Sequence, residues 1–178
     1  MKHLAIASLV LAAGAANAAD YTIDPGHSFV TFEIGHLGVS KTVGRFNDIT
    51  GEFTYEGEKS GSAELTIQSA SVDTNHEARD KHLRSPDFLD VKQFPTITFK
   101  STSFNGNELE GELTIHGVTK TVEFDVEKIG EGKDPWGGYR AGFEAKATIK
   151  RSDFGVTYFI PGVTDETELE VFIEGIRK

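Results

Sequence analysis

Apolar side chains recur at every second position in run after run, and this most constrains what the chain can fold into. Val30, Phe32 and Ile34 alternate with Thr31, Glu33 and Gly35, and Leu65 and Ile67 with Glu64, Thr66 and Gln68. The pattern repeats at Ile97 and Phe99, at Leu113 and Ile115, at Val122, Phe124 and Val126, and finally at Leu169, Val171 and Ile173. A period of two marks a strand with one buried face. Asp24-Pro25-Gly26, Asn105-Gly106 and His116-Gly117 supply turns between such runs, and Gly130 to Gly138 reads as a loop. Strands this regular, joined by short turns, predict an all-β antiparallel sandwich or closed barrel rather than alternating βα units. Residues 19–178 suit a single domain.

One segment departs from the rule. From Asp73 to Phe94 the chain reads DTNHEARDKHLRSPDFLDVKQF. Thr74 and Glu77 have capping-box spacing, predicting a short helix from about Asn75 that Pro86 ends. A second helical turn over Pro86 to Val91 would aim Phe88, Leu89 and Val91 at the core. A helical insertion around 74–92 either plugs one end of the barrel or gates an opening.

The N-terminus has a different purpose. Met1-Lys2-His3, the apolar run Leu4 to Ala13 and the small-x-small site Ala16-Asn17-Ala18 form a secretory signal peptide, with cleavage expected after Ala18. The run is well short of the ~20 residues that span a bilayer, so stable membrane insertion is not expected. Export, expected to be to the periplasm, follows from such a segment. There is no Cys, hence no disulfide and no lipoprotein anchor. Removing residues 1–18 takes away one Lys and no acid, so the formal net charge moves from −10 to −11. That balance argues against nucleic acid and anionic membrane surfaces as partners.

Catalytic and metal-binding patterns are weak. His27, His36, His76, His82 and His116 show no H-E-x-x-H spacing, no G-x-S-x-G elbow occurs, and no pair of carboxylates stands out. A metal site from His27 and His36 across strands is not expected, nor is a cofactor. Arg79, Lys81 and Arg84 form the local basic cluster, open either to a ligand headgroup or to pairing with Glu77, Asp80 and Asp87.

Several short motifs occur in order: Asp24-Pro25 with His27-Ser28, His36-Leu37-Gly38, Gly44-Arg45-Phe46, Arg79 through Phe88-Leu89-Asp90 to Phe94-Pro95, Gly111 to Gly117, and Arg151-Ser152-Asp153-Phe154-Gly155. Together they resemble the YceI family across nearly all of residues 19–178. The resemblance implies a lipocalin-like barrel, export, and an elongated apolar pocket that binds a long isoprenoid lipid of the polyprenyl phosphate or quinone type. It implies binding rather than catalysis, and a homodimer for some members. Inward-facing residues then become candidate lining: Phe32, Ile34 and His36; Phe99 and Phe124; Phe143, Ala145 and Ala147; and Phe88 from the insertion. Arg79 and Arg84 become candidate headgroup contacts. The alternatives are a lipid-modifying enzyme with a pocket histidine, and a stress-response interaction protein with a filled barrel.

Tyr139 to Arg151 bears on that choice. Its odd positions are Tyr139, Ala141, Phe143, Ala145, Ala147 and Ile149, with Arg140, Glu144, Lys146 and Lys150 on the other face. Three inward alanines leave volume in an interior that should pack densely. That volume belongs either to a ligand or to a neighbouring aromatic or the Phe88–Phe94 segment.

Overall fold

The computed structural model describes residues 18–57 and 60–178; the expected signal peptide, apart from Ala18, lies outside them. Eleven strands form one antiparallel sheet: β1 (Ala19–Ile23), β2 (Phe29–His36), β3 (Ser40–Phe46), β4 (Ile49–Tyr55), β5 (Gly61–Gln68), β6 (Val72–Asp73), β7 (Thr96–Phe104), β8 (Glu108–Ile115), β9 (Val118–Lys133), β10 (Tyr139–Lys150) and β11 (Val163–Arg177). The order β1-β4-β5-β7-β8-β9-β10-β11 returns on itself through β1–β11 pairing, closing an eight-stranded barrel. Strands β2, β3 and β6 extend β1, β4 and β5 past a bend. Thus β1 pairs with residues 175–177 of β11, and β2 with residues 163–172 along the same strand.

The bend between β1 and β2 explains the Asp24-to-Ser28 motif. The Asp24 carboxylate accepts from the Gly26 amide at 2.9 Å and bonds His27 Nδ1 at 3.0 Å. Ser28 Oγ accepts from the Glu174 amide at 3.0 Å and donates to its carbonyl at 3.3 Å, filling the gap in the ladder. Arg140 on β10 donates to the carboxylates of Asp24, Asp134 and Glu174. It thereby ties the β9–β10 hairpin to the bend and holds Asp24 down at a pKa of about 2, His27 adding to the effect.

Because neighbouring strands are antiparallel, the connections segregate to two ends. At one lie the β2–β3, β6–β7, β8–β9 and β10–β11 connections, and at the other the β4–β5, β7–β8 and β9–β10 turns. Side chains seal the first end: Phe154 is buried in the core, and Leu83 and Leu89 pack against it. Arg151, only 7% exposed, donates to the carbonyls of Thr164 (2.8 Å), Val156 (3.0 Å) and Val163 (2.9 Å). Its partners are neutral carbonyls, and burial lowers the guanidinium pKa, with Asp165 opposing.

Three local expectations are corrected. The helix in the insertion, α1, is confined to Glu77–Leu83, and residues 86–93 are turns apart from Asp90. Its N-cap is His76, whose Nδ1 accepts from the Arg79 amide at 3.2 Å, so there is no Thr74–Glu77 capping box. Thr74 is engaged instead by buried Asp80, which accepts from the Thr74 amide (2.9 Å) and hydroxyl (2.5 Å). Tertiary hydrogen bonding to Asp80 outcompetes the local cap. Second, the hairpin at Asn105-Gly106 has a three-residue loop, residues 105–107, with positive φ at Gly106 and not at Asn105. His116-Gly117 is the true two-residue turn, with φ of 52° and 74°. Third, Gly130 to Lys133 is strand, not loop. Gly130, Glu131, Gly132 and Lys133 pair with Gly142, Ala141, Arg140 and Tyr139, so cross-strand pairing overrides a glycine-rich, charged composition.

Candidate functional site

Inside the barrel lies an elongated cavity with about 130 Å³ accessible to the centre of a water molecule. That is roughly ten times the minimum for one water. Its lining follows strand parity: Phe53 and Tyr55 from β4, Ala63, Leu65 and Ile67 from β5, Ile97 and Phe99 from β7, Leu109, Leu113 and Ile115 from β8, Phe124 and Val126 from β9. Phe143 and Ala145 from β10 and Leu169, Val171 and Ile173 from β11 complete most of the wall. From Ile97 to Phe104 the wall follows β7 for about 23 Å of strand.

The rings lie along the wall rather than across the lumen. A Cβ on Gly111 would come within 2.5 Å of the Phe99 ring, and one on Gly175 within 2.3 Å of the Phe53 ring. Glycine at these two points lets each ring lie over backbone, so the axis stays open. Edge contacts hold the rings: Phe99 with Phe124 at 5.2 Å, Phe53 with Phe143 at 5.4 Å, and Tyr55 with Phe143 at 5.0 Å. Thr54 and Ser62 also border the cavity, and their hydroxyls bond each other at 2.8 Å. An apolar cavity of this kind does not hold water well, because water there lacks partners.

Exposure along the lining shows where the cavity opens. Val30, Phe46, Ile67 and Ile97, toward the sealed end, are buried, whereas Tyr55, Ala63, Phe104 and Leu109 at the turn end are half-buried. On that side β9 and β10 run past the barrel rim. Strand β8 ends its pairing at Asp125, so residues 127–133 have β10 as their pairing neighbour, with β9's other edge free. A bulge at Ile129 turns that side chain outward, 65% exposed, and sets Lys128 opposite Phe143 on the inner face. Lys128 Nζ sits 4.9 Å from the centroid of the Tyr55 ring and pairs with Glu131 at 2.9 Å, a pairing that raises its pKa.

Four of the nine residues expected to line the pocket surround the cavity: Phe99, Phe124, Phe143 and Ala145. Phe32 and Ala147 border a separate cleft beside Leu169, and Ile34, His36 and Phe88 border neither. Phe88 packs its ring edge-on against His82 (5.0 Å) and Tyr158 (5.2 Å). Arg79 and Arg84 are turned to structure. Arg79 donates to the Thr74 hydroxyl (2.7 Å) and carbonyl (2.8 Å), and Arg84 to the carbonyls of Ala70 (2.7 Å) and Val72 (2.5 Å). Neither borders the cavity. Arg84 fastens the end of α1 to β6 and the segment before it, and Arg79 fastens α1 to the residue after β6.

The described histidines stand outside the cavity too. His27 precedes β2 and His36 ends it, His82 bonds Asp87 at 2.9 Å, and the His116 ring lies tilted against that of Phe94 at 4.4 Å. Asp24, His27 and Glu174 bring ligand atoms within 4.8 Å of one another, but Arg140 already bonds both carboxylates. Sequence reasoning missed Tyr55, Phe104, Leu109 and the mouth residues Lys128 and Glu131. Tyr55 shares the parity of Phe53 and Leu109 that of Leu113, but Phe104 lies on the opposite parity to Ile97 and Phe99 and turns inward only through the bulge between Ser101 and Ser103; the last two are hidden by the loop-like composition around Gly130.

Residues 21–175 match the YceI-like domain family. A UPF0312 protein of Pseudomonas aeruginosa is 50% identical, the alignment spanning 98% of this chain and 96% of that protein. Among solved structures, BcnA of Burkholderia cenocepacia is similar with a TM-score of 0.76 at 26% identity, covering 85% of this chain and 98% of that one. A polyisoprenoid-binding domain from Saccharophagus degradans, implicated in plant cell wall breakdown, shares the fold with a TM-score of 0.67 at 14% identity, covering 89% of this chain and 98% of that one.

Proposed function

The chain belongs to the YceI-like domain family, and from that premise we propose that it is a periplasmic carrier for a long isoprenoid lipid held in the barrel cavity. The observation that carries this reading is the cavity itself, elongated, apolar and open at one end. Burial of an isoprenoid chain there would supply ~25 cal/mol per Å² removed from water. The binding described for the Saccharophagus domain is consistent with such a guest. Tyr55 is the only side chain with an acidic or basic group among the described lining residues, and none of the described histidines lines the cavity, which favours binding over a pocket-histidine enzyme. Export rests on the signal peptide, and β1 begins at Ala19, directly after the expected cleavage site.

Ala145→Trp tests the reading. Ala145 borders the open volume, so the indole should occupy the ligand's space and abolish retention of isoprenoid lipid, with a stability loss below about 1 kcal/mol. If the site were packed, overpacking would cost ~1–3 kcal/mol. Native mass spectrometry of wild type and variant isolated from the periplasm, alongside denaturant melts, measures both. Wild type recovered without lipid and unable to take it up in vitro would overturn the carrier.

A further inference from the structure

The cavity mouth carries a charged pair that the apolar reading leaves unused. Lys128 shares the inner face with Phe143 and Val126, and its ammonium touches the ring of Tyr55, a lining residue. It is partly buried, with a side chain 31% exposed. An ammonium has three N–H donors. Glu131 takes one at 2.9 Å and the Tyr55 ring lies 4.9 Å away in cation–π contact, so among the described residues a donor remains for a guest. The nearby hydroxyls of Thr54 and Ser62 satisfy each other, and Asn105 is bonded to Glu108. Arg177 lies over Tyr139, which does not line the cavity.

Charge narrows the guest further. Glu131 leaves the pair with no net charge, and the whole chain is acidic. A multiply charged anion would meet one cation beside an acid, in a repulsive overall field. A neutral oxygen acceptor meets no such opposition.

We propose that Lys128 is the headgroup-binding residue of this cavity, donating a hydrogen bond to a neutral carbonyl-type oxygen of the bound isoprenoid, while Glu131 disfavours multiply charged phosphates. This rests on the carrier reading above. The bulge at Ile129 creates the site, because it places Lys128 and Glu131, three positions apart, close enough to pair.

The test uses three probes on the purified protein: squalene, which has no headgroup; a short-chain ubiquinone; and farnesyl pyrophosphate. Lys128→Met should weaken ubiquinone about tenfold, the loss of one hydrogen bond from a charged donor, and leave squalene unchanged. Glu131→Gln should tighten farnesyl pyrophosphate about tenfold and leave ubiquinone within about twofold. Arg177→Met should change none of the three. Undiminished ubiquinone binding by Lys128→Met, or an equal loss for squalene, would overturn the headgroup role. Wild type that prefers farnesyl pyrophosphate over ubiquinone would overturn the charge limit. Wild type that takes up neither squalene nor ubiquinone would instead overturn the carrier reading itself.

Discussion

The two ends of the barrel are built from different materials. At the sealed end, long connections fold back over the lumen and polar side chains hold them by bonds to backbone: Arg151 to three carbonyls, Arg84 to two, and Asp80 to Thr74. At the open end the connections are turns, the rings of Tyr55, Phe104 and Phe143 form the rim, and side chains bond one another there, in ion pairs such as Lys128–Glu131 and in neutral pairs such as Thr54–Ser62. Closing an end of a barrel orders long irregular backbone, whose carbonyls need donors wherever they are buried. Leaving an end open needs only a rim that tolerates both water and an apolar guest, which tyrosine and a lysine stem provide.

The sharpest way to break this contrast is at Arg151. Arg151→Met would leave three carbonyls without donors, one from the β10–β11 connection and two from the start of β11, and should destabilise by about 3–5 kcal/mol. Urea melts measure the loss. If the sealed end is structural alone, the folded fraction should keep wild-type affinity for squalene; a parallel loss of affinity would mean that this end also shapes the lipid site.

Arg140 offers the matching experiment on the mouth side. Arg140→Met removes the partner of Asp24, Asp134 and Glu174 at once, and should lower stability by less than Arg151→Met does, because these groups are partly solvated. It also carries a pH signature. The folded Asp24 carboxyl is depressed to about 2, below its ordinary 3.8. Its contribution is therefore complete above about pH 4 and is lost as pH falls through 4 toward 2. In Arg140→Met that acid-dependent loss should shrink, as seen in melts between pH 2 and 5. An unchanged acid slope would show that the ion pairs do not stabilise the hairpin.

The smallest expected effect concerns Thr167, on the inner face of β11. Its hydroxyl is buried without a hydrogen-bond partner. Thr167→Val keeps the shape and removes an unsatisfied group, so stability should rise by up to about 1 kcal/mol. A loss of more than about 1 kcal/mol would reveal a partner that the hydroxyl holds.

The motifs that made the family legible turn out to be the scaffold's fastenings. Asp24 and Ser28 manage the bend, Gly44 lies against Phe32, and Arg151 to Gly155 closes the end. The cavity wall, by contrast, is made of ordinary alternating residues such as Leu65, Leu109 and Ile173. Distinctive residues mark places where backbone geometry is unusual. An apolar wall asks only for size and parity.

The all-β class, the buried face of most strand segments and the placement of the helical insertion were therefore legible in the residue pattern, because a period of two is local, but it carries only as far as the bulges between Ser101 and Ser103 and at Ile129, which reset the facing. The open lumen is a product of long-range packing, since it depends on Phe99 and Phe53 lying over Gly111 and Gly175, contacts with no sequential pattern. The same packing sets which end opens and what stands there. Residues 130–133 look like loop until pairing with β10 makes them strand, and the bulge just before them sets Lys128 facing the mouth.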